Sequence, residues 1–265
     1  MADVMTTICD DLEAEHDALD AIVASIDEAD WHRATPADGW TVRDGIGHLA
    51  YFDGTALAAL TDPEAFKASV AALLEGVGHG DPTLAEARSM TGAELLASWR
   101  AGRGALLAEL RGTDPKARVP WYGPAMCAVS FATARLMETW AHGQDIVDAL
   151  GATRPATDRL RHVAHIGVRA RPFSYATNGR EMPEGDVRVE LRAPSGELWE
   201  WNESATDRVA GDALDFCLVV TQRRHVSDTA LTVEGPLAED WITIAQAFAG
   251  PPGGGRQPGQ FTASR

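Results

Sequence analysis

Apolar residues at Val4, Ile8, Leu12, Leu19, Ile22, Val23 and Ile26 recur at helical spacing, so residues 4–28 read as an amphipathic helix. After a loop holding Pro36 and Gly39, the stretch TVRDGIGHLAYFDGTALAAL opens with Thr41 and Asp44, the spacing of a helix-initiating capping box. A short helical piece near 63–75 leads into the loop VGHGDPT. From Thr91, TGAELLASWRAGRGALLAELRG predicts a third long helix, stopped by Gly112 and Pro115. The connector ARVPWYGPAMCAVS is broken by Pro and Gly and precedes a fourth long helix over 129–150. Gly151 follows where a C-cap glycine belongs. Four long helices so joined predict a helical bundle.

Past Gly151 the period changes. Residues 156–171 read as a helix. In DVRVELRAPSGELWEWN, Val187, Val189 and Leu191 alternate before a Pro-Ser-Gly turn and Trp199 and Trp201 alternate after it, which predicts a hairpin. DALDFCLVVTQRR follows as a helix, LTVEG as a strand and LAEDWITIAQAFAG as a final helix, while PPGGGRQPGQFTASR has the composition of a flexible tail. The pattern therefore predicts an α+β chain: a four-helix bundle over 1–152, a smaller α+β domain over 153–250 and a tail over 251–265.

Charge narrows the partners. The 265 residues carry 39 Asp and Glu against 23 Lys and Arg, a formal net charge of −16. Phosphate backbones and anionic membrane surfaces need a basic footprint, so neither nucleic acid nor membrane is expected as a partner. No apolar run reaches the length of a membrane span. The opening MADVMTTICDDLEAEH has no basic or apolar leader region. Cys9, Cys127 and Cys217 are widely spaced and read as reduced thiols, so a cytoplasmic chain is expected.

The stretch ETWAHGQDIVDALG carries the candidate chemistry. Glu138, His142 and Asp145 stand four and three residues apart, which stacks them on one helical face together with Arg135. A solvated stripe is one reading. The other is a metal site, since a carboxylate and an imidazole one turn apart can hold a divalent ion. Such a site needs a third ligand from another helix, and His48 in GHLAYFDG is the best candidate. Asp44, one turn before His48, is placed either to orient its ring or to complete the capping box. Trp121 and Tyr122, just before the ligand helix, are placed to line a pocket. Trp31, Trp40, Trp99 and Trp241 sit at core positions of helical pattern, and His162 and His165 form a spaced pair with no evident third partner. PPGGGR lacks the strand and helix that would make it a phosphate loop.

TVRDGIGHLAYFD after Trp40, followed by METWAHGQDIVDALG, resembles the mycothiol-dependent maleylpyruvate isomerase N-terminal family. Within it the chain is similar to an actinobacterial subgroup labelled for wyosine base formation or for metal binding, part of the wider DinB-like group of four-helix metal-binding proteins. DALDFCLVVTQRR is similar to the family's sterol-carrier-like C-terminal domain. The resemblance implies metal ligands at His48, Glu138 and His142, with zinc, or another divalent metal such as nickel or iron, carrying water or a thiol in an open position. It implies an acidic position near the site at Asp145. It also implies an arginine from the C-terminal domain at Arg223 or at Arg224, because TQRR has Gln222-Arg223 where the family has Gly-Arg. Together with Trp121 and Tyr122, these arginines would hold the thiol cofactor. The activity implied is isomerisation or S-transfer on a small, anionic electrophile with mycothiol. A hydrolase using bound water and a non-catalytic metal- or ligand-binding protein are the alternatives. No motif identifies maleylpyruvate as substrate, and the acidity speaks against tRNA.

Overall fold

Two of the long helices begin on capping boxes. Thr41 accepts from the Asp44 N–H at 3.4 Å while the Asp44 carboxylate accepts from the Thr41 N–H at 2.9 Å. Thr91 and Glu94 make the same exchange at 3.3 and 2.8 Å. The structure is a computed structural model that describes residues 3–75 and 83–261, and the chain divides into units over Met1–Arg154 and Pro155–Arg265.

The first unit holds α1 (Val4–Val23), α2 (Val42–Thr61), the shorter α3 (Pro63–Glu75) and α4 (Ala85–Ser89), α5 (Gly92–Gly112) and α6 (Ala128–Leu150). A short ribbon pairs β1 (Arg118–Val119) with β2 (Met126–Cys127) ahead of α6. The long helices bury a shared core of Leu19 and Val23, Val42, Ile46 and Leu49, Leu95, Leu96 and Trp99, and Ile146. Glycines permit the closest approaches: a Cβ on Gly47 would lie 2.4 Å from that of Ala87, and one on Gly92 would lie 2.2 Å from the Trp31 indole nitrogen. α6 ends on Gly151 at φ 62, the left-handed turn that a glycine adopts without steric cost.

The first helix stops at Val23 rather than 28. The Glu28 carboxylate lies beyond that end and accepts from the Gly92 N–H at 2.9 Å and from Arg43 at 2.6 Å, tying the loop to the start of α5. Of the expected loop VGHGDPT only Thr83 is described; the rest lies outside the described residues.

The second unit runs α7 (Leu160–Arg169), α8 (Arg171–Thr177), β3 (Val187–Arg192), β4 (Leu198–Trp201), β5 (Asp207–Asp212), α9 (Ala213–Val220), β6 (Thr232–Glu234) and α10 (Pro236–Ile242). Its sheet has the order β4-β3-β5-β6. β3 and β4 form the expected antiparallel hairpin, with Val189 opposite Trp201 and Leu191 opposite Trp199. β5, which periodicity does not reveal, lies parallel to β3; only Val209 of DRVAGD is buried. The helix expected over 156–171 is two helices, broken where Pro172 has no N–H to donate. The last helix ends at Ile242 because the Gln246 N–H goes to Ser174 Oγ and the Ala247 N–H to the Val220 carbonyl. Beyond it, the Gly259 N–H donates to the Asp228 carboxylate at 2.8 Å. No helix among the described residues is long and apolar enough to cross a membrane.

Candidate metal centre

His48 stands at the edge of the buried face of α2, and Glu138 and His142 stand one turn apart on α6. All three are half-buried. The structure brings them together: one donor atom from each lies within 4.8 Å of the other two, the single such group of three or more His, Cys, Asp or Glu found among the described residues. A tetrahedral ion bound at about 2.0–2.2 Å separates its ligand atoms by about 3.4 Å. Glu138 Oε2 and His142 Nε2 are 3.4 Å apart. Closing a gap of at most 4.8 Å to that separation takes no more than about 1.4 Å of movement shared between two side chains. Two imidazoles and a carboxylate thus fit a divalent ion of the zinc type, with coordination positions left over for a further ligand.

Asp145 is 3% exposed and lies behind His142, its Oδ2 4.0 Å from Nδ1. That exceeds a hydrogen bond, yet it faces the nitrogen opposite the one nearest Glu138, so the carboxylate favours the tautomer that leaves Nε2 free to coordinate. Asp44 does not need to serve the site: its carboxylate holds Thr41 and accepts from Arg88 Nε at 2.7 Å.

Aromatic rings enclose the group. Trp40 stacks on His142 at 5.5 Å with planes 13° apart and lies 5.1 Å from His48. Phe52 lies 4.5 Å from His48. Tyr122 meets Phe52 at 5.4 Å, and Trp121 stacks on Phe66 at 5.6 Å, so the expected pocket residues connect to the ligands through Phe52. Burial, opposed by a hydrogen bond with Thr55, pushes the Tyr122 phenol up to about 12 and keeps it protonated. Trp40 is the residue that sequence reasoning misplaced. It is half-buried in a turn, not a core helix position, and its N–H donates to the Ala37 carbonyl at 3.0 Å. Its position directly before the cap of the ligand helix was the available signal. Trp31, Trp99 and Trp241 are buried, as expected.

In the second unit, Arg223 follows α9 and donates through Nη1 to the Thr221 carbonyl at 2.6 Å, while Arg224 lies over the Phe261 ring at 4.5 Å. Gln222 takes a positive φ of 61, turning the chain between the helix and these arginines. His165 accepts from Trp201 Nε1 at 3.3 Å, and burial lowers its pKa. The bond ties α7 to β4, a structural role for this histidine.

The family model for the mycothiol maleylpyruvate isomerase N-terminal domain matches residues 12–147. Two uncharacterized proteins of Mycobacterium tuberculosis, MT0041 and Rv0036c, are each 49% identical over 248 residues, 93% of this chain and 96% of theirs. Among solved structures, the chain is similar to a mycothiol-dependent maleylpyruvate isomerase and to a variant of it, at a TM-score of 0.56 and 17% identity over 90% of this chain and 99% of that one. At that identity the likeness is one of fold.

Proposed function

The chain belongs to the mycothiol maleylpyruvate isomerase N-terminal domain family, and from that premise we propose that it is a cytoplasmic, metal-dependent enzyme using a low-molecular-weight thiol such as mycothiol. The reaction is isomerisation of, or S-transfer to, a small electrophile. The observation that carries this reading is the convergence of His48, Glu138 and His142 in a surround of aromatic rings.

His48 and His142 as neutral imidazoles and Glu138 as carboxylate would hold the ion, zinc or another divalent metal such as nickel or iron. A bound ion of this kind acidifies a thiol offered to its open position, so that a nucleophile exists near neutral pH. The protein's own residues do the rest. Asp145, whose carboxylate faces Nδ1 of His142, would favour the tautomer that leaves Nε2 to coordinate. Trp40 and Phe52 keep water from the reacting sulfur, and Trp121 and Tyr122 extend that apolar wall. A thiol held there would supply the nucleophile for reversible addition to, and elimination from, the substrate double bond, which is the chemistry an isomerisation needs. Arg223, with Arg224 beside it, is assigned to an anionic group on thiol or substrate. The three free cysteines fit a reducing compartment.

Protein purified without added metal is expected to carry about one equivalent of divalent ion. After cobalt substitution, added mycothiol should produce sulfur-to-metal charge-transfer absorption. Glu138→Ala and His142→Ala should lose both metal and thiol signals. Arg223→Ala should keep the metal and weaken the anionic ligand by about 2–5 kcal/mol. Less than a tenth of an equivalent with no uptake on dialysis against zinc would sink the reading. Turnover without any thiol would move it to a hydrolase. Metal without turnover of any kind would leave a binding protein.

A further inference from the structure

One residue from each long helix meets in the bundle core: His16 of α1, Asp53 of α2, Trp99 of α5 and Arg135 of α6, none more than 3% exposed. The Asp53 carboxylate is the hub. Its Oδ2 accepts from Trp99 Nε1 at 3.1 Å, and its Oδ1 accepts from Arg135 Nε at 3.1 Å and Nη2 at 2.9 Å. His16 Nε2 stands 3.8 Å from Asp53 Oδ2, its ring edge-on to Trp99 at 5.7 Å, and neither ring nitrogen has a hydrogen-bond partner among the described residues. Arg103 closes Trp99 from the other side, 4.5 Å over its ring.

This level lies beside the proposed metal centre. Asp53 follows His48 by five residues on α2, and Arg135 precedes Glu138 by three on α6. The pairs His48 with His142 and Asp53 with Arg135 show that the two helices run in opposite directions here. The ion pair therefore ties together the two helices that supply every ligand, about one turn from the ligands themselves.

Stability alone gives little reason for such a group. A buried ion pair gains little over well-packed apolar residues of similar volume, because desolvation offsets the attraction. What it supplies is geometry, since Arg135 chelates one carboxylate oxygen through Nε and Nη2 while Trp99 holds the other, which together set the position and rotation of the group. We propose that Asp53 and Arg135, with Trp99 holding the second carboxylate oxygen and His16 completing the level, are positioning residues for the metal centre. They fix the register of α2 against α6 so that His48 reaches Glu138 and His142. The inference rests on the metal-site reading above.

The test replaces the network by apolar groups in one triple variant, Asp53→Leu, Trp99→Phe and Arg135→Met. It measures urea unfolding of the apo-protein together with cobalt affinity and visible absorption. The expected result is an unfolding midpoint near that of the original chain, with cobalt affinity lowered about 10–100-fold. The cobalt absorption should weaken as water replaces a protein ligand. A folded triple variant with unchanged affinity and spectrum would overturn the proposal. Arg135→Lys covers the case in which the triple variant does not fold. It keeps the charge and removes the planar fork, so it should lower cobalt affinity in the same direction, and unchanged affinity there overturns the proposal equally. Absence of cobalt uptake by the original chain would instead defeat the metal reading, and this inference with it.

Discussion

His16 is where the bundle core is most exposed to acid. Burial pushes its pKa down to about 4, against a weaker opposing pull from Asp53. In the unfolded chain the same ring titrates near the ordinary histidine value of about 6.5. Between those values the unfolded state binds the extra proton, so stability rises with pH through the window. The contribution is complete above about pH 6.5 and is lost as pH falls towards 4, which amounts to about 2 kcal/mol between pH 7 and pH 5. His16→Phe should remove that component of the pH dependence, whatever its stability at pH 7. Denaturant titrations of both proteins at the two pH values check this, and parallel losses would refute it. Asp145→Asn tests a second single group: metal should still bind, with affinity lowered about 10–100-fold.

At the scale of elements, the ligand helices were legible because both carry an ordinary helical period interrupted by polar residues that a core face does not need. Glu138, His142 and Asp145 were readable from their spacing on one helical face, whereas His48 entered as the third ligand that another helix had to supply and through the family resemblance, and Asp53 drew no reading of its own. Arg135 could not be assigned to Asp53, because the pairing spans α2 and α6, 82 residues apart in the chain. β5 escaped notice since a strand with one buried position has no alternation to read. The final helix was drawn too long because tertiary acceptors take its N–H groups, which no local pattern records. Close helix packing was equally silent in the sequence. Gly47 precedes His48, and a methyl group there would meet Ala87 Cβ at 2.4 Å. Gly47→Ala is therefore expected to destabilise the fold by about 1–3 kcal/mol. Because α2 must shift to relieve the contact, cobalt affinity should fall as well. An alanine variant of unchanged stability and affinity would show that α4 yields at no cost.

For the whole molecule, the acidity that argued against nucleic acid coexists with a local cluster of two imidazoles and two carboxylates, so net charge set an expectation about partners without locating the chemistry. The bundle has its own apolar core, with Leu49, Trp99 and Ile146 fully buried, and does not need a metal to fold as a zinc finger does. Removing the ion should leave the chain folded but less stable. Zinc that binds the folded state alone at 100 times its dissociation constant adds about 2.7 kcal/mol. For a unit of roughly 150 residues that corresponds to a rise of about 5–10 °C in unfolding temperature. Because the proposed ligands all lie on α2 and α6, amide exchange should slow there first when zinc is added to the apo-protein. Thermal scans with chelator and with zinc, read beside exchange in residues 42–61 and 128–150, test both statements together. Zinc that raises the unfolding temperature while leaving exchange in those two helices unchanged would place the ion somewhere other than His48, Glu138 and His142.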